Sequence, residues 1–326
     1  MVLVGVAVGG ALALVAVLIP WLPSADAKEA GPVDKVYWFV TIICIVIFAL
    51  VAGVSVYAVW KFRAAPDDED DGSPIHGHTG LEVVWTAVPA ALVTAISVYS
   101  GVVLTQIERI PPDHRVVEVT AQQFAWSFKY NENGSEITSG TLALPVDQPV
   151  ELKLKALDVI HSFWVPEWRM KKDAVPGIET NIVVTPSKVG EFTVVCTELC
   201  GLGHATMRAH ALVLTQAGFE DWLREQRRLA EQAGSAQGKT LFVQQCGNCH
   251  ILADAETAGE AGPNLDEVLP GKEADFIRES IVDPNAEIAP GFDSPSVMPD
   301  NFGEVLSEQQ LDSLIEYLME TAGNGS

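Results

Sequence analysis

Residues 196–207 read CTELCGLGHATM. Two cysteines four apart, a histidine four further on and a methionine three beyond that offer two thiolates, an imidazole and a thioether. Such a soft donor set suits copper. Glycines at 201 and 203 argue against a regular helix, so the spacing reads as a loop folded around a ligand rather than an apolar stripe. The plain alternatives are a Cys196–Cys200 disulfide outside the cytoplasm, or Cys and Met packed as core. Neither accounts for His204. Zinc is the other metal to weigh, and methionine is a poor ligand for it.

Around this loop, from Arg115 to about Leu214, the chain runs in short alternating stretches: RVVEVTAQQFAWSF, PVELKLKA, TNIVVTP, EFTVVC and AHALVLT, parted by Pro, Gly and Asn turns. The pattern predicts an all-β sandwich over residues 109–216. QFAWSFKY places Phe124, Trp126 and Phe128 on one face of a strand, where they read as core.

Toward the N-terminus the chain is apolar. Residues 2–22 followed by Ala25-Asp26-Ala27 have the form of a secretory leader ending in a signal-peptidase site, giving a leader over 1–27. No Lys or Arg precedes the apolar core, so an uncleaved third membrane helix is the competing reading. Residues 28–108 then form a transmembrane hairpin. Its spans, about 37–60 and 81–104, each exceed the roughly 20 residues that cross a bilayer. The acidic loop between them, PDDEDDGSPIHGH, is a solvated connector, and His76 and His78 in it are assigned no role. Glu82 opens the second span, where a carboxylate is stabilised by the helix dipole.

Toward the C-terminus, FEDWLREQRRLAEQAG spaces Phe219, Trp222, Leu223, Leu229 and Ala230 along one helical face, a helical linker over 217–237. Residues 238–326 form a further module. CGNCH at 246–250 is the signature of covalent c-type haem attachment, with Cys246 and Cys249 as thioethers and His250 as an axial ligand. A lone CxxC also fits a redox pair or half a zinc site. GPNL at 262–265, Met298 before Pro299, and a closing amphipathic helix argue for haem. Met298 is the expected sixth ligand. Met319 competes, but sits beside Leu311, Leu314, Ile315 and Leu318 at core spacing.

The chain has 326 residues, 48% of them hydrophobic, and a net charge of −23, which disfavours nucleic acid as a partner. Residues 238–326 carry 17 acidic against 3 basic residues. That surface is either simply solvated or docks on basic groups, with Arg169, Lys171 and Lys172 as a candidate patch. Five cysteines, four of them in two ligand-like pairs, do not read as a disulfide scaffold.

The copper loop, with HSFWVPEW from His161 and KKDAVPG at 171–177, closely resembles cytochrome c oxidase subunit II. The C-terminal segment resembles a small class I cytochrome c. The resemblance implies a multi-domain membrane protein: a two-helix hairpin, a cupredoxin-like sandwich and an all-α class I cytochrome c domain, a caa-type arrangement. It implies two copper ions as the CuA centre, bridged by Cys196 and Cys200, with His161, His204, Met207 and the Glu198 carbonyl completing the set. It also implies a magnesium reached by the Glu198 side chain together with subunit I, and a proton-uptake role for Glu82 in E-x-x-W-T-x-x-P. Family members usually carry tryptophan where Phe124 stands, and many carry arginine where Ile178 stands.

By the same resemblance, electrons pass from an upstream donor, such as a quinol-oxidising complex or a soluble cytochrome, to haem c and then CuA. From there they reach haem a and the oxygen site of subunit I, with subunit III as a further partner. Both soluble domains stand on the outer face of a bacterial plasma membrane. A flexible tether raises the cytochrome's local concentration to roughly millimolar. The alternatives are the electron-accepting subunit of a CuA-type nitric oxide reductase and a membrane-anchored carrier that works alone.

Overall fold

The computed structural model describes residues 19–63, 74–132, 135–231, 234–292, 298–300 and 302–323. Most of the expected leader, most of the acidic loop and part of the Met298 segment lie outside the described residues. Two long helices come first, α1 (Ala30–Lys61) and α2 (Thr79–Ile107). At about 1.5 Å per residue each exceeds the roughly 30 Å hydrocarbon core, so several turns extend beyond it. Large apolar side chains such as Val46, Phe48 and Val59 stand exposed on α1, as on a helix whose neighbour is lipid. Phe39 and Tyr99 meet edge to face at 5.6 Å. His78 caps α2, its Nδ1 accepting the Leu81 N–H at 3.2 Å, while the Glu82 carboxylate accepts the His78 N–H at 3.1 Å.

The second unit begins with ten strands in two sheets. They are β1 (Arg115–Gln122), β2 (Ala125–Glu132), β3 (Ser135–Ser139), β4 (Leu142–Pro145), β5 (Val150–Ala156), β6 (His161–Trp164), β7 (Lys171–Ala174), β8 (Thr180–Val184), β9 (Gly190–Cys196) and β10 (Arg208–Leu214). One sheet runs β3-β2-β1-β5-β8 and the other β4-β10-β9-β6-β7. Alternation explains the core: Val117, Val119 and Ala121 of β1, and Trp126, Phe128 and Tyr130 of β2, are buried. The run RVVEVTAQQFAWSF is two antiparallel strands rather than one, paired from Val117↔Tyr130 to Gln122↔Ala125. Phe124 therefore sits in the turn between them and not on the strand face with Trp126, because the chain reverses at Gln123-Phe124.

The residues of the expected cleavage site are part of this unit. Asp26 N–H donates to the Glu167 carbonyl at 3.0 Å, and the Asp26 carbonyl accepts from Ser187 N–H at 2.9 Å. Ala27 bridges Pro186, and the Glu29 carboxylate receives both the N–H and the hydroxyl of Thr185 at 2.9 and 2.8 Å.

Helix α3 (Gln216–Glu231) is the expected linker, and it is packed rather than free. Phe219 and Leu223 are buried, Tyr130 lies 5.2 Å from Trp222, and Arg115 pairs with Glu220 at 3.0 Å. The C-terminal module follows: α4 (Ser235–Leu241) running into a π-turn at Phe242–Cys246, a small β11–β12 pair (Ile251–Leu252, Thr257–Ala258), α5 (Leu265–Val268), α6 (Ala274–Val282), α7 (Phe302–Val305) and α8 (Glu308–Gly323). Its core joins Phe242, Leu252, Ile277, Ile281, Leu311, Leu314 and Leu318, with Met298 and Met319 partly buried against it.

Candidate copper and haem sites

Strand pairing positions the copper donors. His161 opens β6, Cys196 ends β9, and the two strands pair at Phe163↔Cys196. Beyond Cys196 the chain leaves the sheet, turns at Gly201 with φ +135°, makes a single 3-10 turn at His204–Thr206 and returns as β10. The Cys196 N–H donates to the Met207 carbonyl at 3.2 Å and closes the loop. Phe124 is what the glycines accommodate: a Cβ on Gly203 would stand 2.4 Å from its ring.

The donors converge. Cys196 Sγ lies 3.9 Å from Cys200 Sγ and 3.9 Å from His161 Nδ1, and donates to the Glu198 carbonyl at 3.3 Å. Cys200 Sγ lies 3.5 Å from His204 Nδ1 and 3.8 Å from Met207 Sδ. Ligand atoms of His161, Cys196 and Cys200, all buried, fall within 4.8 Å of one another. Two thiolates, two imidazoles, a thioether and a carbonyl gathered this closely fit copper by donor chemistry. Burial alone would raise the Cys196 pKa, yet hydrogen bonds led by His161 outweigh it and bring the thiol to about 7. Burial and the neighbouring Cys196 charge push Cys200 up to about 12, so the two thiols sit in opposed electrostatic settings.

Two residues beyond the expected set hold these ligands. The Asp158 carboxylate sits 2.8 Å from His161 Nε2, so Nδ1 is left facing the cysteines. It also accepts the Gln123 N–H at 2.6 Å, while the Gln123 side chain donates to the Cys200 carbonyl. Asp158 precedes His161 by three residues, the one cue the sequence offered. The Glu198 side chain is exposed, beside Leu199 and Leu202 at 79% and 86% exposure.

In the C-terminal module Cys246, Cys249, His250 and Met298 line one cavity of about 490 Å³. His250 Nδ1 hydrogen-bonds the Pro263 carbonyl at 3.0 Å, which leaves Nε2 as the atom available to a metal. Burial lowers the His250 pKa in spite of that bond and favours the neutral, metal-binding ring. Apolar lining from Phe242, Leu265, Ile277, Ile281 and Leu318 suits a flat hydrophobic macrocycle, and the ligand types suit haem iron. Phe124 and Ala125 of the copper domain line the same cavity. Met319 stands on a separate surface hollow with Arg278 and Asp312.

A two-helix anchor, a cupredoxin sandwich with a soft-donor loop and an apolar cavity lined by CxxCH residues and a methionine define a membrane-bound electron-transfer protein. Three family models match: the transmembrane domain of cytochrome c oxidase subunit II over residues 15–103, its periplasmic domain over 135–213, and cytochrome c over 235–322. A cytochrome c oxidase subunit 2 of Synechocystis is 33% identical across 63% of this chain and 75% of its own length. Those of Alkalihalophilus pseudofirmus and Bacillus subtilis are each 31% identical, covering 91% and 94% of this chain and 90% and 96% of their own. The chain belongs to the cytochrome c oxidase subunit II family and carries a fused C-terminal cytochrome c domain. It is a membrane-anchored bacterial subunit of a haem-copper oxidase, and copper and haem come with the family.

Proposed function

We propose that this chain takes electrons from an upstream donor at its C-terminal module and delivers them through its copper domain to subunit I, where oxygen is reduced. When bound, one haem and a pair of copper ions supply one-electron oxidation and reduction. Cys246 and Cys249 would anchor the haem covalently, and His250 and Met298 would hold its iron. Cys196, Cys200, His161, His204, Met207 and the Glu198 carbonyl would hold the coppers. Asp158 fixes the His161 ring. The exposed Glu198 carboxylate, with Leu199 and Leu202, faces subunit I and a shared magnesium, and Glu82 serves proton uptake. The soluble domains stand on the outer membrane face, with subunit III completing the complex.

The observation that carries this reading is the placement of Phe124. Its ring packs on the copper loop at Gly201 and Gly203 and lines the haem cavity as well, so one side chain reaches both sites. The test is turnover by the detergent-solubilised complex with oxygen and nitric oxide offered separately, while the haem c and near-infrared copper bands are followed. Oxygen consumption with both bands cycling, and a Cys196→Ser complex that holds its haem reduced, are the expected results. Turnover with nitric oxide alone, or with neither gas, would sink the proposal.

A further inference from the structure

We propose that the cytochrome module is held on the copper domain by a fixed, uncharged dock. The Ser139–Gly140 ridge receives Gln244, and the Arg208 carbonyl receives Asn248. Electrons then cross one standing interface and do not wait for a tethered module to find its partner. The functional meaning of the dock rests on the relay reading above.

The contacts are specific. The Gly140 N–H donates to Gln244 Oε1 at 3.0 Å, and Gln244 Nε2 donates to Ser139 Oγ at 3.3 Å. Asn248 Nδ2, from between the two haem-attaching cysteines, donates to the Arg208 carbonyl at 3.0 Å, one residue past the copper ligand Met207. Approach at the ridge leaves no room for a side chain: a Cβ on Gly140 would stand 2.5 Å from Gln244 Cβ and 2.9 Å from its carbonyl oxygen. Phe124 and Ala125 meanwhile close part of the haem cavity from the copper side.

Two further observations argue for permanence. The segment leading to the module is a packed helix, with Phe219 and Leu223 buried, so little slack remains for the module to swing away. And although the module carries 17 acidic against 3 basic residues, these contacts join amides, a hydroxyl and backbone carbonyls. Salt screens ion pairs far more than such contacts, so the dock persists as ionic strength rises. In the basic patch, Arg169 binds the carbonyls of Pro23, Ser24 and Pro166, and Lys171 lies over Trp164. Each passage moves one electron from ferrous haem to the copper pair, leaving ferric haem and a reduced pair, with no bond made or broken.

The test uses the full chain in its oxidase complex, loaded with both groups. Gly140→Leu wedges the ridge and touches no ligand. It should speed hydrogen exchange in peptides spanning 138–145 and 243–250, and leave the copper and haem spectra unchanged. Transfer after flash photoreduction should slow about tenfold, as expected for losing a few net hydrogen bonds of docking energy. In the unaltered complex the same rate should be insensitive to salt and to viscosity, whereas the variant becomes viscosity-dependent. If Gly140→Leu fails to assemble, Gln244→Ala combined with Asn248→Ala removes three hydrogen bonds without adding bulk and carries the same expectation. A viscosity-limited rate in the unaltered complex, or unchanged exchange and rate in the variants, would overturn the dock while oxygen turnover keeps the relay. Loss of oxygen turnover in the unaltered complex would instead strike the relay.

Discussion

In the copper domain the ligands are presented by paired strands: β6 and β9 fix His161 beside Cys196, a backbone bond closes the loop on Met207, and Asp158 and Gln123 brace it from behind. In the cytochrome module the ligands come from a π-turn and irregular loops, and what they share is the cavity of about 490 Å³. The first site is supported by polypeptide that would fold much the same without metal. The second is supported by whatever fills it. Removing the bound group should therefore have opposite structural consequences in the two halves of one chain.

The largest effect should come from blocking haem attachment with Cys246→Ala and Cys249→Ala together. Leaving the apolar cavity of about 490 Å³ unfilled should cost more than any single core truncation, a large share of a domain's stability. The module should lose its helical circular dichroism while the copper domain keeps its near-infrared band. Retained helicity in the haem-free module would break the comparison. Next in size is Trp126→Ala in the copper domain, whose ring meets Phe163 at 5.6 Å and His161 at 6.3 Å. It should cost about 3–5 kcal/mol in thermal melts. Cys196→Ser, by contrast, should abolish copper absorption with a smaller shift in melting, because the sandwich core lies elsewhere.

The same contrast explains what could be read without a structure. The donors at 196–207 are local, and CGNCH is contiguous, so spacing alone pointed to both chemistries. His161, 35 residues upstream of Cys196, needed the family pattern. Phe124 could not be placed, because apolar alternation runs straight through the Gln123-Phe124 reversal and gives no hint of a turn. The linker's amphipathic face was legible as Phe219, Trp222 and Leu223, but an amphipathic face does not say what covers it. Ser139, Gly140, Gln244 and Asn248 carry no pattern at all. Neutral contacts between segments 40 to 105 residues apart exist only once both domains have folded, and neutral residues carry no charge pattern to mark them.

Smaller effects test the edges of each half. Beginning the chain at Lys28 removes the Asp26 bonds to Glu167 and Ser187 and the buried Ala27. At about 0.5–1.5 kcal/mol net per hydrogen bond, the shortened copper domain should melt lower by about 1–3 kcal/mol of stability, measured by denaturant unfolding. N-terminal sequencing of the membrane-derived subunit shows which form the cell makes. An unchanged midpoint would mean that the 24–29 segment merely rests on the sandwich.

The smallest effect belongs to the cytochrome module and depends on pH. Asp254 accepts the Tyr317 hydroxyl at 2.8 Å and pairs with Lys239 at 3.0 Å, tying the turn after β11 to α8 and α4. The Tyr317 bond, then the Lys239 bond, hold the Asp254 carboxyl below its ordinary value. A carboxylate depressed in the folded state contributes stability that is fully present above its unfolded pKa of about 3.9 and is lost as pH falls through the folded value. The tie should therefore be intact at neutral pH and weaken below about pH 4. Because Asp254 is half exposed, solvent screening keeps the contribution under about 1 kcal/mol. Tyr317→Phe keeps the ring against Phe242 and removes the hydroxyl. The variant should be slightly less stable at pH 7 and lose less on acidification, so the two unfolding curves converge as pH falls below about 4. Parallel curves would show that the hydroxyl contributes nothing to the tie, and that the module's C-terminal helix is held by its apolar face alone.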